Sequence, residues 1–189
     1  EFKFPFGFKE LEGIHSRTDF DLTSHQEHSG KKIQYYDSEL GESYVPYVVE
    51  TSIGLDRMFL AILSHAFKEE QLENNETRVV LKIPAVLAPI KAAVLPLTRK
   101  DGMPEKAKEI MEILKLDFNC QYEDKDSIGK RYRRHDAIGT PFCVTIDHET
   151  LSDNTVTLRE RDTMKQKRVT IENLHSIITN KISFKNCLN

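Results

Sequence analysis

Apolar and polar residues alternate strictly over residues 1–8, EFKFPFGF, with Phe2, Phe4, Phe6 and Phe8 on one side of an extended chain. Pro5 confines such a strand to an edge or an entry position. Alternation returns over 14–22 and predicts a second strand. His15, Arg17, Asp19 and Asp21 line one face; Ile14, Ser16, Thr18, Phe20 and Leu22 line the other. Such a sheet either turns its polar face to water or floors a ligand cleft with it. The pattern breaks at Gly13, where a bulge is expected. Residues 23–30, TSHQEHSG, read as a polar loop, 31–37 as a short strand, and 38–43 as a hairpin-like turn. Residues 44–50 are extended again and run through a turn at 51–54 into a helix over about 54–70. There Leu55, Met58, Phe59, Ile62, Leu63, Ala66 and Phe67 follow the i, i+3, i+4, i+7 spacing.

The period changes after the polar stretch KEEQLENNETR at 68–78, which marks the expected domain boundary. Residues 79–83 and 91–97 are apolar runs of strand length. Residues 104–116 carry a helical stripe of Ala107, Ile110, Met111 and Leu114, with Pro104 suited to the first position. A strand over 118–122 and a basic helix over 127–138 with Ser127 as cap come next. They are followed by strands over 142–147, 154–160 and 166–169, and a helix over 171–182 capped by Thr170. Strands alternating with helices predict a mixed α/β domain with a partly parallel sheet. The expected organisation is one domain over 1–73, built on antiparallel strands, and an α/β domain over 78–189.

Composition adds exclusions. A net charge of −3 argues against a chain that grips nucleic acid over its whole surface, yet permits a local basic patch. Three cysteines, Cys120, Cys143 and Cys187, are scattered without metal-ligand spacing, as expected of reduced thiols in a cytoplasmic protein. No apolar run approaches the roughly 18–20 residues needed to span a membrane. The chain opens abruptly on Glu1-Phe2-Lys3, as if cut within a domain.

Five clusters carry candidate chemistry. Glu50, Ser52, Gly54 and Arg57 surround a strand-to-helix turn, where a carboxylate can hold an ammonium group and a guanidinium fork can hold phosphate. An ordinary capped helix with a surface arginine explains the same spacing. Glu10 and Glu12 form an acidic locus of the kind that holds Mg²⁺ beside a polyphosphate, or a solvated strand face. His25, Glu27 and His28 make a weak metal pattern. Lys130, Arg131, Arg133 and Arg134, with Tyr132 and His135, combine cations and an aromatic ring, which suits RNA or a solvated helix face. Arg159, Arg161, Lys165, Lys167 and Arg168 form a second, more mixed basic run.

The stretches FPFGFKELEGIHSRTDFDL and YVPYVVETSIGLDR, then KAAVLPL, SIGKRYRRHDAIGTPFCVTID and TLRERD, closely resemble the C-terminal half of the dimeric, class II glycyl-tRNA synthetases. The resemblance implies a remnant of a class II catalytic domain on an antiparallel sheet, followed by a mixed-sheet anticodon-binding domain. It implies ATP-dependent attachment of glycine to its tRNA through glycyl-adenylate. Glycine would be met by Glu50, Thr51, Ser52, Ile53 and Gly54. ATP would be met by Glu10, Leu11, Gly54, Leu55, Asp56 and Arg57, with Mg²⁺ alongside. The chemistry rests on positioning and charge stabilisation, so no residue is assigned as a catalytic base or as a metal ligand. Many family members carry proline where Thr51 stands. The family's first two motifs, one of them a dimer element, precede this region. The chain is therefore expected to be a piece of a homodimeric enzyme, inactive alone. The alternative is a synthetase-like adaptor that binds RNA or protein without catalysis.

Overall fold

The computed structural model describes residues 1–73 and 75–187, the side chains of 186 and 187 excepted. The chain divides into two compact units, Glu1–Ser64 and His65–Asn189. The division lies ahead of the polar stretch at 68–78, which forms a hairpin of the second unit; Asn74 within it lies outside the described residues.

The first unit begins with β1 (Phe2–Phe4) and β2 (Gly7–Lys9), an antiparallel pair. The aromatic run is thus a tight hairpin rather than one strand. Pro5 cannot donate to a ladder and sits in the turn, with Gly7 at φ +106°. β3 (Glu12–Thr18) is shorter than its alternation suggested, because Thr18 turns to φ 53° and α1 (Phe20–Ser29) starts. The stretch TSHQEHSG is therefore helix, not loop. It buries no residue, so no apolar stripe announced it. β4 (Tyr35–Asp37) and β5 (Glu42–Tyr44) form the expected hairpin. β6 (Val48–Ile53) pairs antiparallel with β3, and α2 (Leu55–Ala66) follows. Gly13 sits in regular register opposite Ser52; the irregularity lies between Ser16 and Thr18. Phe4 and Ala61 are the fully buried apolar residues of this unit among those described, while Phe6, Ile14, Phe20, Tyr47, Val49, Leu55 and Phe59 stand exposed.

The second unit starts with the hairpin of β7 (Phe67–Gln71) and β8 (Thr77–Leu81), which ends the helix earlier than the apolar stripe implied. Its body is a five-stranded mixed sheet. β9 (Ala92–Pro96) is flanked by parallel β10 (Cys120–Tyr122) and parallel β11 (Phe142–Ile146); β12 (Thr155–Glu160) and β13 (Gln166–Thr170) extend it antiparallel. Central β9 and β11 are buried on both faces and read accordingly as continuous apolar runs. α3 (Met103–Leu114) and α6 (Ile171–Ile182) pack Ala107, Ile110, Leu114, Leu174 and Ile178 against one face. α4 (Ile128–Ala137) covers the other, where Ala93, Leu95 and Cys143 meet Ile128 and Tyr132. Thr170 caps α6 through the Asn173 N–H at 3.4 Å. Ser127 stands at the head of α4 without a side-chain bond. A short α5 (His148–Asp153) is closed by a reciprocal Asp147–Thr150 capping box.

Cys120 and Cys143 are free thiols; burial pushes them up to about 11 and about 12. The Cys187 side chain lies outside the described residues. No helix among the described residues is long and apolar enough to cross a membrane.

The α4 imidazole supplies a pH dependence. His135 is buried, with Nδ1 3.2 Å from Thr140 Oγ1. Its Nε2 lies 3.3 Å from Glu123 Oε2 but off the line of a hydrogen bond, and so has no partner. Burial lowers its pKa against the opposing pull of Glu123. An unfolded histidine titrates near pH ~6.5, so below that pH the unfolded chain takes up a proton that the folded chain refuses. Stability is expected to be level above about pH 6.5 and to fall below it. Urea midpoints measured at pH about 7 and about 5.5 should show the loss, and His135→Gln should shrink it. An equal loss in both proteins would count against His135 as its source.

Candidate functional site

The turn between β6 and α2 makes the first site. In the β3–β6 ribbon, His15 lies opposite Glu50 and Gly13 opposite Ser52. Alternation puts Gly13, His15, Arg17, Glu50 and Ser52 on one face, and Ile14, Thr51 and Ile53 on the other. Glu50 does not stand open. Arg17 Nε donates to its carboxylate at 2.6 Å and, with Arg17's charge, holds its pKa below the usual carboxylate range. Ser52 stands within β6, and it is Gly54 O that accepts the first helical bond, from the Met58 N–H at 2.8 Å. Ser52 therefore does not cap the helix. Gly54 has no left-handed backbone, and a Cβ there would meet the Arg57 side chain no closer than 3.5 Å. Arg57 Nη1 reaches back to Glu10 O at 2.7 Å.

That contact closes one side of an open cleft of about 630 Å³, within the usual size range of ligand sites. Glu10, Leu11, Ser52, Ile53, Gly54, Leu55, Asp56 and Arg57 line it. The structure thus brings together residues from two separate stretches of sequence. Glu50 and Thr51 are not among its lining residues. Glu10 and Asp56 supply its two carboxylates. Two carboxylates suit Mg²⁺ carried by a polyphosphate better than a metal caged by protein alone. The described residues contain no group of three or more histidines, cysteines or acids able to hold a metal, and His25, Glu27 and His28 form none.

The second site lies where α4 meets β12 and β13. The basic run of α4 separates into inward and outward halves. Arg131 is buried; it donates to Pro96 O at 2.7 Å, Glu123 O at 3.1 Å and Leu97 O at 3.3 Å, so it ties strand ends together. Arg134 pairs with Glu123 and, at 2.9 Å, with Asp126. Lys130, Tyr132 and Arg133 instead line a cleft of about 400 Å³ with Glu76, Gly129, Arg159, Met164 and Gln166. Tyr132 is fixed by a 2.6 Å hydroxyl bond to Thr145 and by the Arg159 guanidinium 4.7 Å above its ring.

Arg159 is itself held from beneath. Its Nη1 and Nη2 donate to Asp136 at 2.8 and 3.0 Å, and Arg78 Nε donates to the same carboxylate at 2.9 Å. Arg78 also binds Glu70 at 2.7 Å and the Arg161 carbonyl. Arg161 in turn donates to Gly139 O and Ile83 O. Of the second basic run, then, Arg159 and Arg161 serve the interior, and Arg168 pairs with Asp147 at 2.5 Å. Sequence alone could not separate these arginines, since nothing in RYRRHD or RERD marks which side chains point inward. Glu76 and Gln166 also escaped notice. They are single polar residues without a motif, placed beside α4 only by the sheet.

A mixed five-stranded sheet with a basic, aromatic cleft on one helix suits RNA. The comparison with known families agrees. Residues 91–181 match the anticodon binding domain family. That match begins just before β9 and ends in α6, so it takes in the whole sheet. Over nearly its full length the chain is also similar to curated glycine–tRNA ligases. It is 54% identical over 97% of its length to that of Alkaliphilus metalliredigens, and 53% identical over 96% to that of Chlorobaculum tepidum. The Borrelia hermsii enzyme is 48% identical over 96% of the chain. The chain spans 38–41% of the length of these relatives.

Proposed function

We propose that this chain is the C-terminal part of a glycine–tRNA ligase, a class II aminoacyl-tRNA ligase. The first unit, Glu1–Ser64, would carry a remnant of the catalytic domain, and the second, His65–Asn189, the anticodon-binding domain. The observation that carries the reading is the similarity to glycine–tRNA ligases along 96–97% of the chain, which extends through the β6–α2 turn. The cleft there supports it. A guanidinium and two carboxylates beside a strand-to-helix turn can hold ATP phosphates with Mg²⁺, and Ser52 and Glu50 share a face on which a small zwitterion fits.

In this reading Glu10, Leu11, Gly54, Leu55, Asp56 and Arg57 meet ATP, and Glu50 to Gly54 meet glycine. Glu10 and Asp56 would hold the Mg²⁺, which supplies charge neutralisation at the phosphates. Arg17 occupies the Glu50 carboxylate, so the glycine ammonium would share that carboxylate with it. The exposed apolar residues of the ribbon and α2 would pack against the rest of the longer, homodimeric enzyme. A glycine tRNA as partner implies the cytoplasm. An adaptor would have no use for Glu50, Ser52, Gly54 and Arg57 together.

The chain alone is expected to give no glycine-dependent ATP–pyrophosphate exchange. The Alkaliphilus metalliredigens enzyme, with its matching segment replaced by this chain, should exchange. In that protein Arg57→Ala should raise the KM for ATP, and Glu50→Ala that for glycine, each by about 10- to 100-fold, the worth of a lost charge-assisted bond. KM values left where they were would remove both assignments, and robust exchange by the chain alone would contradict its status as a part.

A further inference from the structure

The second cleft contains a residue that phosphate binding does not explain. Lys130, Arg133 and the Tyr132 ring suit a nucleic-acid strand, but Glu76 stands among them, about two-thirds exposed, with Oε2 3.8 Å from Arg133 Nη2. A carboxylate at that point repels phosphate oxygens and weakens backbone contact. It does suit a base edge. A carboxylate accepts from the exocyclic amino group of cytosine, and the neighbouring guanidinium donates to the ring nitrogen and carbonyl beside it. Uracil presents a carbonyl oxygen where cytosine has its amino group, so Glu76 would face it acceptor to acceptor.

The wall behind this pair is rigid. Tyr132 is fixed by Thr145 and Arg159, and Arg159 by Asp136, so a base stacked there meets a preset plane rather than a mobile side chain. Arg159 is already neutralised by Asp136. Almost wholly buried, it braces the Tyr132 ring rather than offering a free charge. Gln166, opposite Arg159 on β13, adds an amide at the rim.

We propose that Glu76, paired with Arg133, reads the amino group of an unstacked cytosine and discriminates against uracil at that position. This rests on the proposed tRNA partner. Glycine codons begin with two guanines, so every glycine anticodon offers two cytosines.

The test measures binding of the whole 189-residue chain to the anticodon stem–loop of a glycine tRNA, and to two versions with one or the other cytosine replaced by uracil. At one of the two positions cytosine is expected to bind roughly tenfold or more tighter. Glu76→Gln should narrow that ratio from both sides, weakening the cytosine form and tightening the uracil form, because an amide offers both donor and acceptor. Glu76 is exposed, so the variant keeps its fold; thermal melting checks this. Equal weakening of all three RNAs by Glu76→Gln, an unchanged ratio, or no cytosine preference in the parent chain would overturn the proposal. Failure of the parent chain to bind any of the three, even at low salt, would overturn the anticodon-binding reading itself.

Discussion

Replacing Asp136 by asparagine is expected to cost about 3–5 kcal/mol of stability, the usual result of removing one partner from a buried charge cluster. The carboxylate is fully buried and receives three bonds from Arg78 and Arg159, which are themselves almost wholly buried. Arg78 would keep Glu70 and the Arg161 carbonyl. Arg159 would keep at most the amide oxygen as an acceptor, meet an NH2 donor where the second carboxylate oxygen stood, and remain a buried cation over the Tyr132 ring. For a chain of this size the change corresponds to a fall in Tm on the order of 10 °C. Thermal unfolding read by circular dichroism measures it, and a loss below about 1 kcal/mol would show that the cluster is not held together as drawn. Burial pushes the Asp136 carboxyl up, but the bonds from Arg159 and Arg78 outweigh it and hold the pKa below the usual range. Its stabilising effect is thus fully present above about pH 3.9 and is lost as the pH falls through the lowered value.

Lys130→Ala with Arg133→Ala should leave that cluster, and the melting temperature, almost unchanged. Both side chains face the cleft and neither enters the Asp136 network. Their expected effect is on the proposed RNA binding. If Lys130 neutralises one phosphate while Arg133, paired with Glu76, meets a base edge, the double variant lowers the slope of log affinity against log salt by about 1 and weakens binding on the order of 10- to 100-fold at low salt. Arg134→Ala makes the comparison: its guanidinium is already shared between Glu123 and Asp126, so its removal should change the slope little. A salt slope unchanged in the double variant would remove these side chains from the interface. Both predictions draw on the same helix. Residues one position apart on α4 divide between the interior and the cleft, and that division turns a basic sequence into a shaped surface.

Much of the second unit was legible in the sequence for a physical reason. Strands buried on both faces read as continuous apolar runs, as in 92–96 and 142–146, and α3 and α6 carry clean helical stripes. The first unit was less legible because it buries so little. α1 has no inward stripe to show, and the aromatic alternation over 1–8 folds back on itself at Pro5. The β6–α2 cleft was readable as a set of residues, since SIGLDR is contiguous and Glu10 lies within a recognisable motif. The Arg17–Glu50 pair was not, because it depends on strand register. The interior arginines were misread as surface for a related reason. An arginine's burial depends on a partner such as Asp136, and that partner lies 58 residues from Arg78.

The central proposal is that the second unit grips the anticodon arm of a glycine tRNA. The direct measurement is competition for the chain between labelled glycine tRNA and two unlabelled pieces of it, the anticodon stem–loop and the acceptor-stem minihelix. The anticodon stem–loop should displace the tRNA, in a salt-dependent manner, and the minihelix should displace it poorly. Displacement by the minihelix alone would contradict the proposal.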